Sequence, residues 1–407
     1  MKKYLALVLA CLMVFSLFAG CGNSAKPEAS GKPQASGAPV ADPKLKTVKI
    51  GVFEPASGDN GAGGKQETLG ILYAHDMQPT VEIGGETYNV ELVTVDNESA
   101  VEKGPTAAAT LVSAGVSVVL GSYGSGVSIA SSDTFKDAGI PAIGVTCTNP
   151  AVTEGNTHYF RICFLDPFQG TVLANFAKET FTAKKAYLLA KLGDDYSVGL
   201  CNYFKQAFEK LGGEVKFETF PDGTSDYASY VSNAKNYGAD VFVSPVSTEA
   251  ASLIIDQAAA QGVKFPLLAG DTWDSNVVTE AIKGKDLQLY VTTFYQEGGS
   301  PEFDAGIKKW INADPTRLSS NNGNDMVAAV SAMGYDAYFT ALEALKLAGS
   351  TDPKAVNEAI WKTTYKGVSG DIAFDDVNGD AIRDVAYVKQ ADTAAGAWKF
   401  VTVQGIK

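Results

Sequence analysis

From residue 47 onward, strand patterns and helix patterns take turns, and the cycle runs twice. TVKIGVF (47–53), YNVELVTVDNES (88–99), SVVLG (117–121) and IPAIGV (140–145) read as strands. Between them lie helix patterns from about Gln66 to 78, over 101–114, and over Ser128–Ala138. After a break at FLDPFQG (164–170), strands recur at 185–192, 214–220, 240–246, 265–271 and 287–295. Helices over 170–182, 197–211, 226–237 and 248–261 separate them. Strands alternating with helices of this length imply parallel sheets covered on both faces. Ligands of such sheets bind outside the carboxyl ends of the strands. Helix returns over 302–348, amphipathic from Asp325 to Ala348, and short strands about a turn at Asn378–Gly379 finish the chain.

The start of the chain is different. Lys2 and Lys3 precede an apolar run from Tyr4 to Phe18, then Ala19, Gly20 and Cys21. The run is too short for a comfortable membrane span and reads as a secretory signal. A cysteine directly after the small residues resembles a lipoprotein signal, which implies that Cys21 becomes the lipid-bearing N-terminus. An ordinary cleaved signal with an incidental cysteine is the alternative. Residues 22–46, rich in Gly, Ser, Ala, Pro and Lys, cannot bury enough apolar surface to offset ordering and read as a flexible tether.

About 360 residues follow, more than one core usually holds, so two α/β lobes are expected. The net charge of −13 argues against nucleic acid and against electrostatic docking on anionic lipid. Cys147, Cys163 and Cys201 remain after the signal, with no CxxC spacing, and read as free thiols. The histidines, His75 and His158, read as structural residues. No HExxH, GxSxG or GxxxxGK[ST] motif occurs. No cofactor or metal is expected. DDVNGDAIRD (375–384) resembles half of a calcium loop, but its glycine falls late and no closing glutamate follows, so it reads as a solvated turn.

The binding chemistry is expected at strand exits. GSYGSGVS (121–128) follows a buried strand and opens a helix, whose free N–H groups and positive dipole end suit a carboxylate. Gly126 lets a ligand approach the backbone, and Ser125 and Ser128 offer hydroxyls; Ser128 capping its own helix is the alternative. In GVTCTNP (144–150), Thr146 and Thr148 point the same way if the segment stays extended. Tyr196 and Asp271 follow strands of the second sheet, and a carboxylate there suits a cationic ligand end. An anion seat on one lobe and an acid on the other match a zwitterionic amino acid. Asp271 as a mere turn cap is the alternative.

At VSVVLGSYGSGVSIASSDTFKDAGIPAIGVTCTNP (116–150), GDDYSVG (193–199) and AGDTWDS (269–275) the chain resembles the branched-chain amino-acid-binding family of ABC-transporter receptors, of the type I periplasmic-binding fold. The resemblance covers about 46–407. It implies two doubly wound, mostly parallel α/β lobes joined by three crossings, near 165–170, 294–299 and 370–378. Lobe 1 would comprise 47–166 and 297–373, and lobe 2 would comprise 167–296 and 374–407. It also implies that Ser125, Thr146 and Thr148 hold the ligand's α-carboxylate and α-amine, and that Tyr196 and Asp271 close from the second lobe. The implied partners are a small ligand, an ABC permease, and a membrane reached through lipid on Cys21; no nucleic-acid partner and a monomer are expected. The implied location is outside the cytoplasm. The family often carries an aromatic in the first loop and a tyrosine where PVSTE (245–249) stands here. Gly63 and Ser247 therefore predict a roomier, more polar pocket, and a polar or larger amino acid or amide. A sensory receptor of the same fold is the second reading; a lipoprotein hydrolase is the third, disfavoured by the missing nucleophile elbow and scarce histidine.

Overall fold

The computed structural model describes residues 42–405; the signal and Cys21 lie outside them, as does the tether up to residue 41. From Ile50 on, β1 (Lys46–Glu54) is buried on both faces, which demands cover on both sides. α1 (Gly61–Met77) leads to the antiparallel pair β2 (Thr80–Ile83) and β3 (Glu86–Asp96). α2 (Gly104–Ala114), β4 (Val118–Gly121), α3 (Ser125–Asp137), β5 (Ala142–Gly144) and β6 (Tyr159–Arg161) complete a six-stranded sheet. Its order is β2-β3-β1-β4-β5-β6, parallel except for β2. The order reverses between β1 and β4, so their carboxyl ends flank a crevice.

The second sheet is built the same way. α4 (Asp166–Phe181), β7 (Lys185–Lys191), α5 (Asp195–Lys210), β8 (Glu214–Phe220), α6 (Ala228–Tyr237), β9 (Val241–Val243), α7 (Thr248–Ala260), β10 (Leu267–Ala269), α8 (Asn276–Ile282) and β11 (Leu289–Thr293) follow in turn. The chain then returns to the first sheet through α9 (Pro301–Asn312), α10 (Pro315–Ser320), α11 (Ala329–Ala348) and α12 (Pro353–Ile360). The hairpin β12 (Thr364–Gly367) and β13 (Gly370–Ala373) precedes β14 (Ala386–Asp392), which adds antiparallel to β11, and β15 (Ala397–Gln404), which pairs antiparallel with β14. The seven-stranded order is β15-β14-β11-β10-β9-β7-β8.

Each sheet has a core on both faces. On the first, Val52, Leu120 and Ile143 pack with Met333 and Leu342 of α11, while Phe53 and Val119 pack with Leu111 and Phe135 on the other side. On the second, Leu189 and Phe242 pack with Ile254 and Trp273, and Leu188 and Val243 with Leu200 and Phe204. Burying each such side chain contributes about 1.5–3 kcal/mol. The strand alternation is the cause: successive residues face opposite layers.

Three expectations change. α1 begins at Gly61, not near Gln66, so the glycine-rich stretch lies inside the helix. Those glycines serve close approach: a Cβ on Gly64 would stand 2.2 Å from Pro55 O, and one on Gly70 1.9 Å from Ser331 O of α11. α3 begins at Ser125, so Ser128 does not cap it; the Ser128 hydroxyl donates back to Gly124 O at 3.0 Å. The turn at Asn378–Gly379 joins only an isolated bridge, Phe374 to Ala381, because Asp375 gathers the turn's N–H groups and Asp380 is drawn to Arg161. Among the described residues no helix is long and apolar enough to cross a membrane, and no group of three or more His, Cys, Asp or Glu side chains could hold a metal ion.

Candidate ligand-binding cleft

A cavity of about 330 Å³ opens where the two sheets face one another, and Ser125, Gly126, Thr146, Tyr196 and Asp271 all line it. Ser125 is the first residue of α3 and is buried. Its oxygen accepts from Asn149 N–H at 3.2 Å, which leaves its own hydrogen for the cavity. A Cβ on Gly126 would come within 3.2 Å of Asp195 Oδ2 on the opposite wall, so the small residue keeps the walls close.

Thr146 and Thr148 separate. The backbone bends at Val145–Thr146, and the alternation of an extended strand ends there. Thr146 lines the cavity and donates its hydroxyl hydrogen to Glu67 Oε2. Thr148 is fully buried and is not among the residues lining the cavity. Its hydroxyl lies beside the buried Asp166 carboxylate without closing a hydrogen bond to it. Arg161 fixes this loop from below. Its guanidinium donates to Cys147 O at 3.0 Å and to Asn149 O at 2.5 Å, and pairs with buried Asp380 at 2.6 Å.

On the facing wall, Asp271 stands just past β10, in a short 3-10 turn whose side-chain cap it does not supply. Gln169 Nε2 and Tyr196 O–H both donate to Asp271 Oδ1, each at 2.9 Å. Burial pushes the Asp271 carboxyl up to about 6, opposed by those two donors. Three residues on, Asp274 is paired with buried Lys389 at 2.8 Å, which anchors the loop.

Sequence reasoning missed four contributors. Tyr123 lines the cavity and its ring fills the space above Gly63: a Cβ there would stand 2.4 Å from Tyr123 Cζ. The roomier pocket expected from Gly63 is therefore absent, although Ser247 does line the cavity. Glu54 and Glu67 lie buried on the side of Thr146, and Gln169 reaches in from α4. Glu54 ends β1, so the strand-exit rule that found Asp271 would have flagged it as well. Tyr123 O–H reaches Thr272 O across the cavity at 3.4 Å. Outside the cavity lining, Asn149 Nδ2 donates to Asp195 O at 2.7 Å and Gln66 Nε2 to Asn276 Oδ1 at 3.2 Å, further ties between segments of the two sheets.

Residues 47–396 match the family described as Periplasmic binding protein. The chain belongs to that family. The periplasmic binding proteins it resembles include the leucine-binding protein LivK of Thermotoga maritima. That structure is 34% identical with a TM-score of 0.78, over 88% of this chain and 99% of that one. The LivJ protein of Streptococcus pneumoniae, solved with isoleucine, has a TM-score of 0.75 at 24% identity, over 89% of this chain and 99% of that one. The Leu/Ile/Val-binding protein homolog 1 of Brucella abortus is 28% identical over 87% of this chain and 93% of its own length. The type I periplasmic-binding fold implied by the sequence is thus the fold observed, with both sheets mixed and mostly parallel. Cys147, Cys163 and Cys201 are buried free thiols, as read. His75 Nε2 is bonded to Val90 O at 3.0 Å, a structural contact.

Proposed function

We propose that this chain is an extracytoplasmic receptor that captures an amino acid, or a related small zwitterion or amide, between two lobes and delivers it to an ABC permease, without breaking a bond in it. The observation that carries the reading is the cavity shared by Ser125 at the start of α3 and by Asp271. The helix start supplies N–H donors and a positive dipole end for a carboxylate. Asp271 Oδ1 already accepts two bonds, which leaves Oδ2 for an ammonium. Ser125, Gly126, Thr146, Tyr196 and Asp271 are the proposed contacts, with Thr148 acting from behind Thr146. The names of the relatives, leucine- and Leu/Ile/Val-binding proteins, favour the same class of ligand.

For the ligand's side chain, Ser247 and the ion-paired group of Lys191 with Asp59 and Asp222 favour polar groups over a bare hydrocarbon. Lobe 1 would comprise 47–166 and 297–373, and lobe 2 would comprise 167–296 and 374–407. Closure of one on the other would desolvate both charged ends of the ligand and strengthen each contact. Lipid on Cys21 would hold the receptor at the membrane.

A thermal-shift screen with the common L-amino acids tests the ligand class. A ligand at 100 times its Kd stabilises the fold by about 2.7 kcal/mol. At least one amino acid should raise the melting temperature, and Asp271→Ala should abolish the rise. No response to any of them would remove the reading. Release of a Cys21→Ser chain into the medium, against retention of the parent, tests the anchor.

A further inference from the structure

Glu54 and Glu67 are both buried, and they lie against one another between β1 and α1. Glu54 Oε2 accepts from Tyr123 N–H at 2.7 Å, and Glu67 Oε2 accepts from the Thr146 hydroxyl. Their other oxygens, Glu54 Oε1 and Glu67 Oε1, receive no N–H or O–H donor from any further group among the described residues. Two carboxylates packed together away from water repel unless one is protonated and donates to the other. The site is built tightly: with φ +121° at Gly121, a position that favours glycine, a Cβ there would stand 2.5 Å from Glu54 Oε1.

We propose that Glu54 and Glu67 hold one proton between them beneath Thr146, that this pair turns the Thr146 oxygen lone pairs toward the ammonium of the bound ligand, and that ligand capture expels the proton to solvent. The hydroxyl hydrogen of Thr146 is committed to Glu67, so at the cavity Thr146 serves as an acceptor. It then suits an N–H donor and not a carboxylate. Together with Asp271 on the facing wall it would bracket one positive charge. The other groups acting on the pair are the Cys147 thiol, the Tyr123 N–H and, across the cavity, Asp271. Tyr159 lies near Glu54 and Cys147. Arg161 acts on Cys147 but is engaged by Asp380 and backbone carbonyls. Among the described residues the pair thus has no committed cation of its own, and an incoming ammonium favours its charged form. Burial raises both carboxyls, Glu67 to about 7, so a proton is present to leave near neutral pH.

The proton itself does not depend on the reading of the cleft; the ligand step does. Infrared spectra of the full chain, without ligand, test the first. At pH 7 the parent should show a buried carboxylic-acid carbonyl band that Glu54→Gln removes and Glu67→Gln shifts. Superimposable spectra for the parent and Glu54→Gln would overturn the pair. Calorimetry with L-leucine and L-glutamine, in phosphate and in Tris buffer at pH 7, tests the second. Whichever binds should release up to one proton from the parent and little from Glu67→Gln. Affinity in the parent should fall by up to about tenfold per pH unit below neutrality. Equal release from both chains would overturn the coupling. If neither amino acid binds while the infrared band behaves as stated, the pair stands and both the ligand step and the amino-acid reading fall.

Discussion

Lys191 Nζ, at the end of β7, reaches Asp59 Oδ2 across the mouth of the cavity at 2.8 Å while also holding Asp222 Oδ1 at 2.6 Å. Burial alone would lower the lysine's pKa, but the two carboxylates more than offset it and raise it. The bond to Asp59 is made only when the two walls are close, so it favours the closed arrangement. Partly exposed pairs of this kind are worth about 0–1 kcal/mol. Asp59→Asn should therefore weaken ligand binding about two- to fivefold, chiefly through faster dissociation. Stopped-flow dissociation at low salt and near 1 M salt is the check; the gap between parent and variant should close as salt screens the pair.

Asp271 should make the ligand-free chain more stable in mild acid. Its carboxyl, pushed up to about 6 by burial, binds a proton more tightly folded than unfolded. Its stabilising contribution is full below about pH 4, the ordinary carboxyl value, and is lost as pH rises through about 6. Asp271→Asn should remove about 2–3 kcal/mol of this pH dependence between pH 4 and pH 7. Denaturant unfolding at both pH values measures it; unchanged pH dependence in the variant would reject the assignment.

Gly63→Ala should cost about 1–3 kcal/mol, because the new methyl meets the Tyr123 ring inside a packed wall. In a double-mutant cycle, Tyr123→Ala should relieve part of that loss, since the two positions compete for one space. Additive effects would show that the ring had room to move.

Arg161→Met should destabilise the fold by about 3–5 kcal/mol, because it strands the buried carboxylate of Asp380. Adding Asp380→Asn should recover some of this. Ligand affinity should stay low even in the recovered chain, because the carbonyls of Cys147 and Asn149 lose their tie and the Thr146 loop loosens. Recovery of stability together with full affinity would deny Arg161 that positioning role.

What the sequence could show followed from local rules. Strand runs such as Val118–Gly121 are buried throughout and bounded by turn residues, so they read correctly as central strands. That Asp271 and Ser125 stand at one cavity was legible because each follows the end of a strand. The glycine run before Gln66 was misread because local propensity treats such a run as a loop, whereas these glycines accept close neighbours from elsewhere in the chain.

By itself, the order of residues determined the alternating α/β architecture, the strand ends that carry the candidate site, and the absence of familiar catalytic motifs. Only the tertiary structure decided that Thr146 faces the cavity while Thr148 does not, that Tyr123 fills the room above Gly63, and that Glu54 meets Glu67. Periodicity reports which side of its own strand or helix a residue occupies. These three outcomes depend on a backbone bend and on contacts between segments far apart in the chain, where packing and shared hydrogen bonds settle positions that no local pattern encodes.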